Sequence, residues 1–458
     1  MTSVDGNVAS NDSSILLRGG TVLTLDSAAT VLEGVDVLLE AGVIRQIGSG
    51  VQAPAGARAI DVSGHLVLPG LIQGHVHLGQ TIFRGLAEGR RLLAWLEERI
   101  WPLEAAHDDE SAYWCSLLGA AECLLGGTTT IQDIGIGPGA RGLTRAFLDS
   151  GLRGLAGQCL MDKGAGLPEG LCGDADEVLA TCEQLGMEIE RDGGGRVRHV
   201  LNPRFILSCS DELWTGIQEL SAKHDWPVHT HALEQKEESA AVEQLKGGRG
   251  EIEYFDDSGI LSGDLRIAHG VWLEHADLPR LAEERFSVVH CPSSNLKLGS
   301  GIADVVGLQT AGIPVGVGAD GTPCNNDLDA LEEIRLAALL QQLENGPGSF
   351  SGLDALRLAT SEGAKAIGME AEVGSIEIGK AADVVVLSLE RPELWVPAEA
   401  DLHDLVVYSA SRSAVRHVVV DGHLRVEDGR LMDLDLEEIR GRADASLAGV
   451  LQRSAVDL

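Results

Sequence analysis

Short apolar runs recur along the chain at 66–78, 128–134, 152–161, 199–207, 227–232, 265–271, 286–292 and 313–320, each about the length of a strand. Between them, 110–125, 211–224 and 327–343 carry apolar residues at spacings of three and four, the period of a helix with one buried face. Gly126-Gly127 reads as a helix stop before the second run. Eight strand–helix units in series predict a parallel α/β fold, a closed (β/α)8 TIM-like barrel. An open, doubly wound sheet is the alternative, but no glycine-rich dinucleotide fingerprint follows the first strand. Gly193-Gly194-Gly195 is read as a plain loop, since no helix with a lysine follows it.

The two ends differ from the middle. Positions 15–62 alternate in the manner of strands, with turns expected at Gly19-Gly20 and Glu40-Ala41-Gly42. Positions 382–387, 415–420 and 423–426 have the same character, and Asp421-Gly422 is a hairpin signal. Neither end is long enough for a sheet domain of its own, so one small β-sandwich made from both is expected. The expected division is 1–68 for the first part of the sandwich, 69–371 for the barrel, and 372–458 for the second part with a C-terminal tail.

Composition narrows the class. A chain of 458 residues that is 44% apolar can bury one large core, and with only 3% aromatics that core is mostly Ala, Val, Leu and Ile. The formal net charge of -35 argues against nucleic acid and anionic membranes as partners, because both demand a basic patch. The same acidity fits an ordinary acidic enzyme or adaptation to high salt. None of the eight cysteines forms a CxxC pair, and a chain this large needs no disulfide staples. The polar start, from Met1 to Ser14, has no apolar signal region, and no run reaches the length of a membrane span, so a cytoplasmic protein is expected.

The polar residues fall at the ends of the apolar runs. Strand one ends in His75-Val76-His77, and alternation puts both imidazoles on one side. Strand five carries His229-Thr230-His231 with Glu234 just after it; strands six, seven and eight end at His269, His290 and Asp320. Barrel enzymes place their chemistry at the C-terminal ends of the strands. A lone histidine at a strand end is an ordinary polar residue, but this many on separate strands at one end is a constellation. Imidazoles and a carboxylate suit zinc, and a catalytic site keeps one position open for water. His75, His77, His231 and Asp320 are therefore expected around one divalent metal, with zinc first and iron or manganese also compatible. Glu234 is expected as general acid/base, and His269 and Asp320 to orient or deprotonate the water. Strand four has no lysine to bridge a second metal, which argues for one ion. The H-x-E…P-C-x-x-C pattern of the other zinc deaminases is absent, since Asn325 and Asn326 follow Cys324.

With these residues in place, the sequence resembles the amidohydrolase superfamily. Within it, the sequence resembles the branch of S-adenosylhomocysteine, methylthioadenosine and 5'-deoxyadenosine deaminases, whose relatives are also labelled N-ethylammeline chlorohydrolase. The resemblance covers nearly the whole chain. Its motifs are PGLIQGHVHLGQTIFRG (69–85), WLEERIWPLEA (95–105), HTHALE (229–234), HCPSSNLKLGSGIA (290–303), GADGTPCNND (318–327) and GSIEIGKAADVVVL (374–387). It implies the same four ligands, with Glu234 and His269 as the acid/base pair. It also implies that Glu104, in the WPLEA run, binds the ribose hydroxyls, a task that suits a carboxylate able to accept two O–H bonds.

Some S-adenosylhomocysteine deaminases have an Arg in strand three and a His ending strand four, positions that align here with Gln158 and Arg204. Without that Arg, a shorter 5'-substituent is favoured. Arg204 either reaches the substrate or pairs with an acidic neighbour. His290 completes the set of substrate-binding candidates. Triazine chlorohydrolases tend to lose the acid/base carboxylate or the metal-binding Asp, and both are present here. The expected reaction on a small-molecule substrate is hydrolytic deamination of 5'-deoxyadenosine, methylthioadenosine or a similar 5'-modified adenosine to the inosine analogue and ammonia. The alternative is an aminohydrolase or chlorohydrolase of a free guanine, pterin, cytosine or s-triazine ring. A scaffold that has lost its chemistry is disfavoured because the ligands survive. Association into a homo-oligomer, a dimer or tetramer, is implied by the relatives.

Overall fold

The computed structural model describes residues 14–395, 397, 399–454 and 456. The polar start, apart from Ser14, lies outside the described residues. Eight parallel strands carry the middle of the chain: β1 (Leu71–Val76), β2 (Thr128–Asp133), β3 (Arg153–Ala156), β4 (Val197–His199), β5 (Val228–Ala232), β6 (Asp264–His269), β7 (Arg285–His290) and β8 (Val315–Val317). They form two four-stranded sheets, β4-β3-β2-β1 and β5-β6-β7-β8. Cys159–Leu160 and Asn202–Pro203 continue β3 and β4 as a short separate pair. The sheets meet at two single parallel bridges, Leu201 with Val228 and Val76 with Asp320. At the second of these, the Asp320 amide donates to the His75 carbonyl at 3.1 Å. The ladder is thus interrupted at both seams.

The helices used below are α1 (Trp101–Ala105), α2 (Asp109–Leu125), α3 (Lys236–Leu245), α4 (Pro292–Leu298), α5 (Thr322–Asn325), α6 (Ala330–Asn345) and α7 (Leu436–Ser454). Helix α2 starts at a capping box between Asp108 and Ser111 and stops at Gly126, followed by Gly127 at φ +86°, as the glycine pair predicts. The stretch expected as a C-terminal tail is the 19-residue helix α7. Its Ile439, Ala443 and Val450 are buried, and Arg453 donates to the Ala106 carbonyl at the end of α1.

The first apolar run splits at Gly70. His65–Pro69 joins a nine-stranded sheet from the two chain ends, while β1 enters the parallel sheet. A Cβ at Gly70 would lie 2.1 Å from the Thr129 hydroxyl, so only glycine lets the chain cross there. The end sheet runs, edge to edge, through Arg430–Leu431, His423–Glu427, Val415–Val420, Val384–Ser388, His65–Pro69, Ile15–Leu23, Val31–Glu40 and Val43–Gly48, with Arg58–Asp61 beside Ile15–Leu23. Hydrogen bonding makes it one sheet. Asp421-Gly422 forms the expected tight hairpin, both residues at positive φ. Gly19-Gly20 does not turn. It makes an irregularity inside the strand, where a Cβ on Gly20 would lie 2.8 Å from Val67.

A buried ion cluster ties the end sheet to the parallel strands. Arg153 of β3 makes a two-pronged contact with Asp383, at 2.8 and 3.1 Å, and reaches Asp421 at 2.9 Å. All eight cysteines are free thiols.

Candidate active site

His75, His77, His231 and Asp320 offer ligand atoms that all lie within 4.8 Å of one another; His75, His77 and Asp320 are buried and His231 is partly buried. His75 lies on β1 and His77 just past its end, His231 lies on β5, and Asp320 in the turn after β8. Asp320 Oδ1 lies 3.3 Å from His75 Nε2 and 3.2 Å from His77 Nε2.

Proton placement shows that this set fits a cation. His229 Nδ1 is 3.1 Å from the Arg266 carbonyl, which can only accept, so that nitrogen carries the proton. His229 Nε2 then accepts from His75 Nδ1 at 2.8 Å, which leaves His75 Nε2 bare. That atom is buried without a hydrogen-bond partner. His231 Nδ1 likewise donates to the Arg204 carbonyl at 2.7 Å, leaving its Nε2 bare and 3.1 Å from His77 Nε2. Burial lowers the pKa of His75 to about 4 and that of His231 well below the ordinary value, so neither ring is protonated near neutrality. Burial alone would raise the Asp320 carboxyl, but its contacts with His75 and His77 outweigh this and hold it well below the usual range. Neutral imidazoles and an ionised carboxylate converging on one point are the donor set of a divalent metal ion.

Glu234, in the turn after β5, is 2% exposed. Its Oε1 accepts from the Ser300 hydroxyl at 2.9 Å, and its Oε2 lies 3.5 Å from His269 Nε2. Burial raises its pKa, which keeps a proton within reach. His269 Nδ1 donates to Asn295 Oδ1 at 2.9 Å and so turns its other nitrogen to the site, 3.9 Å from Asp320 Oδ2. Leu233, His269 and Asp320 all have positive φ, at 57°, 75° and 61°. The left-handed region is rare for residues other than glycine and clusters where surrounding structure enforces it at functional sites.

Above the ligands lies a narrow cavity. His77, His231, Asp320, His269, Glu234 and Arg204 supply its polar wall, and Leu92, Trp95, Leu96, Phe205 and Leu298 its apolar one. Glu104 stands just behind, on α1 and 1% exposed. One of its oxygens accepts from Arg204 at 2.7 Å and the other from the Gln80 amide at 2.7 Å. The Gln80 side chain also lies 3.1 Å from His77 Nδ1. Burial would lower the Arg204 pKa, but the Glu104 carboxylate holds it above the ordinary value. Arg204 thus meets an acidic neighbour and lines the cavity at once.

Gln158 and His290 do not line the cavity. Gln158 follows β3 with its Oε1 buried and unpartnered. His290 is fully buried, and neither ring nitrogen has a partner. Val289 points inward, within 2.9 Å of where a Gly74 Cβ would stand, so alternation turns His290 to the other face of β7. The sequence reading gave no role to His229, Gln80, Ser294 or Asn295. Of these, only His229 carried a signal, since it repeats the period-two pattern of His75 and His77.

Residues 66–425 match the sequence model of the Amidohydrolase family. A 5-methylthioadenosine/S-adenosylhomocysteine deaminase of Symbiobacterium thermophilum is 36% identical over 96% of this chain and 99% of its own. A 5'-deoxyadenosine deaminase of Methanobrevibacter smithii is 32% identical over 97% of this chain and 99% of its own. Among solved structures, a zinc-bound adenosine deaminase from Xanthomonas campestris superimposes with a TM-score of 0.88 at 30% identity, covering 96% of this chain and 99% of that one. A zinc complex of atrazine chlorohydrolase from Arthrobacter aurescens gives a TM-score of 0.86 at 27% identity, covering 94% of this chain and all of that one.

Proposed function

This chain belongs to the amidohydrolase family, and on that footing we propose that it hydrolyses the exocyclic amino group from a 5'-modified adenosine, giving the inosine analogue and ammonia. The observation that carries the reading is the convergence of His75, His77, His231 and Asp320 beside the Glu234–His269 pair. Relatives named as methylthioadenosine/S-adenosylhomocysteine and 5'-deoxyadenosine deaminases support the substrate class.

His75, His77, His231 and Asp320 would hold one divalent ion, which we take to be zinc on the likeness to zinc-bound structures. Bound there, a divalent metal supplies acidity to water, lowering its pKa from about 16 towards about 7. The chain's own groups do the rest. Asp320 and His269 accept hydrogen bonds from the attacking water and orient it towards the ring carbon that bears the amino group. Glu234, whose pKa burial raises, takes a proton from the water and gives it to the adjacent ring nitrogen, then takes the proton of the newly attached hydroxyl and passes it to the amino group, which leaves as ammonia. Glu104 keeps lone pairs beyond those used by Arg204 and Gln80, and these accept from the ribose hydroxyls. Leu92, Trp95 and Leu96 cover the ring and exclude water.

We also read the two parallel sheets as one (β/α)8 barrel spanning 69–371, since single bridges join them at both edges. We read the described parts of the ends, 1–68 and 372–458, as the accessory unit. An apolar cluster drawing Ile15, Leu17 and Val37 together with Val384, Val386 and Val419 supports two facing layers within its one sheet.

The test is a panel of adenosine, 5'-deoxyadenosine, methylthioadenosine, S-adenosylhomocysteine, guanine and a chlorotriazine, assayed with zinc-loaded protein by ring absorbance. The expected result is the highest kcat/KM on a 5'-modified adenosine. No turnover of any adenosine would remove the reading. The likeness to atrazine chlorohydrolase makes a free-ring hydrolase the second reading. Glu104→Gln separates the two: it should lower kcat/KM on nucleosides about tenfold or more and leave free-ring hydrolysis nearly unchanged, as expected when a buried hydrogen-bond acceptor for the substrate is lost.

A further inference from the structure

Glu333, on α6, is 1% exposed and forms no ion pair among the described residues. Its two oxygens point to opposite sides of the turn that carries Asp320. Oε2 accepts from the Ser293 amide at 3.1 Å, in the first turn of α4. The next two residues of α4 face the site. Ser294 donates to Asp320 Oδ2 at 2.7 Å, and Asn295 accepts from His269 Nδ1 at 2.9 Å. On the other side, Glu333 Oε1 accepts from Asn325 Nδ2 at 2.8 Å, and the same amide donates to the Ala319 carbonyl at 2.8 Å.

Asp320 needs such support. Its φ of 61° lies in the left-handed region, and its Oδ1 accepts from the following amide, Gly321, at 2.8 Å. A residue in that conformation persists only where its surroundings over-determine it. Here the peptide before Asp320 is held through Asn325, and its carboxylate through Ser294. Both holds trace back to one buried carboxylate.

We propose that Glu333 is a positioning residue that fixes the Asp320 carboxylate, and through Asn295 the His269 ring, for metal capture and water orientation. The proposal rests on the deaminase reading for its kinetic consequence, but its metal consequence does not. Substitution of groups that orient metal ligands typically costs 10–100-fold in metal affinity or activity. Glu333→Gln keeps the shape but turns an N–H towards one of two donors, so one hold is lost.

The experiment compares zinc-loaded wild type with Glu333→Gln and Asn325→Ala. Readouts are zinc retention against a chelator, kcat and KM on the substrate the panel identifies, and thermal midpoint. Zinc affinity should fall about tenfold or more and kcat by about 10–100-fold, with KM within about threefold, as for other groups that orient ligands. A Ser294→Ala/Glu333→Gln double variant should be little worse than the worse single variant, because both act on one carboxylate. Asn325→Ala carries the test if Glu333→Gln does not fold. Unchanged zinc affinity and kcat in folded variants, with only a lower midpoint, would overturn the proposal. Weakened zinc binding in a protein that deaminates nothing would uphold the positioning role and remove the deaminase reading.

Discussion

Glu333 makes a buried carboxyl group useful by leaving it without a cation. Burial pushes its pKa from the ordinary 4.5 up to about 8, outweighing the Ser293 and Asn325 N–H groups, which favour the ionised form that accepts from both; the folded state therefore binds its proton more tightly than the unfolded chain does, and the two-sided hold is complete only above that value. Between those two values the folded state holds more protons than the unfolded one, and stability falls as pH rises. The stability contributed by the protonated group is whole below about pH 4.5 and is lost as pH passes about 8. Urea unfolding of wild type and Glu333→Gln at several pH values should therefore show the wild type losing ground to the variant from about pH 5 to about pH 9. A pH-independent difference would show that the carboxyl titrates normally. Residues of this kind were not legible in the sequence. His75, His77 and His231 announce themselves because strand alternation aims them together. Glu333, Gln80 and Ser294 acquire their tasks only when distant segments meet, and nothing in their local pattern marks them out.

At the level of elements, strand ends were easier to read than strand connections. Helix 211–224 was read to its end residues, because Ser210 caps it and its apolar period is clean. The first apolar run was read as a single strand, yet it serves two sheets, since a glycine inside an apolar run gives no hint of the neighbour it must pass. The end sheet was legible as strands but not as a pairing order, which depends on contacts between residues hundreds of positions apart. Its attachment depends on Arg153, 4% exposed, whose charge is balanced by Asp383 at 4% and by the more open Asp421. Removing one partner of a buried pair leaves an uncompensated charge and typically costs about 3–5 kcal/mol. Arg153→Met should lower the unfolding free energy by about that amount in a denaturant titration, while activity per folded molecule stays near wild type. A cost within about 0.5 kcal/mol, as for a surface pair, would mean the cluster contributes little to holding the sheet in place.

For the whole molecule, the four ligand groups come from strands on both sides of the seam where β1 meets the turn after β8 by a single bridge. An ion bound there spans a junction that the backbone ladder leaves thin. Anything that binds only the folded state stabilises it in proportion to its affinity. Chelation should therefore abolish activity and lower the thermal midpoint. Amide exchange should rise most around 75–78 and 317–321, where protection is weakest once the ion is gone. Uniform acceleration across all eight strands would show that the seam is no weaker than the rest.

The position of that seam also has a consequence during synthesis. Two histidines emerge from the ribosome early, and their aspartate partner arrives only after most of the chain has been made. Until then a growing chain offers a divalent metal an incomplete claw, so tight capture waits for residue 320 of 458.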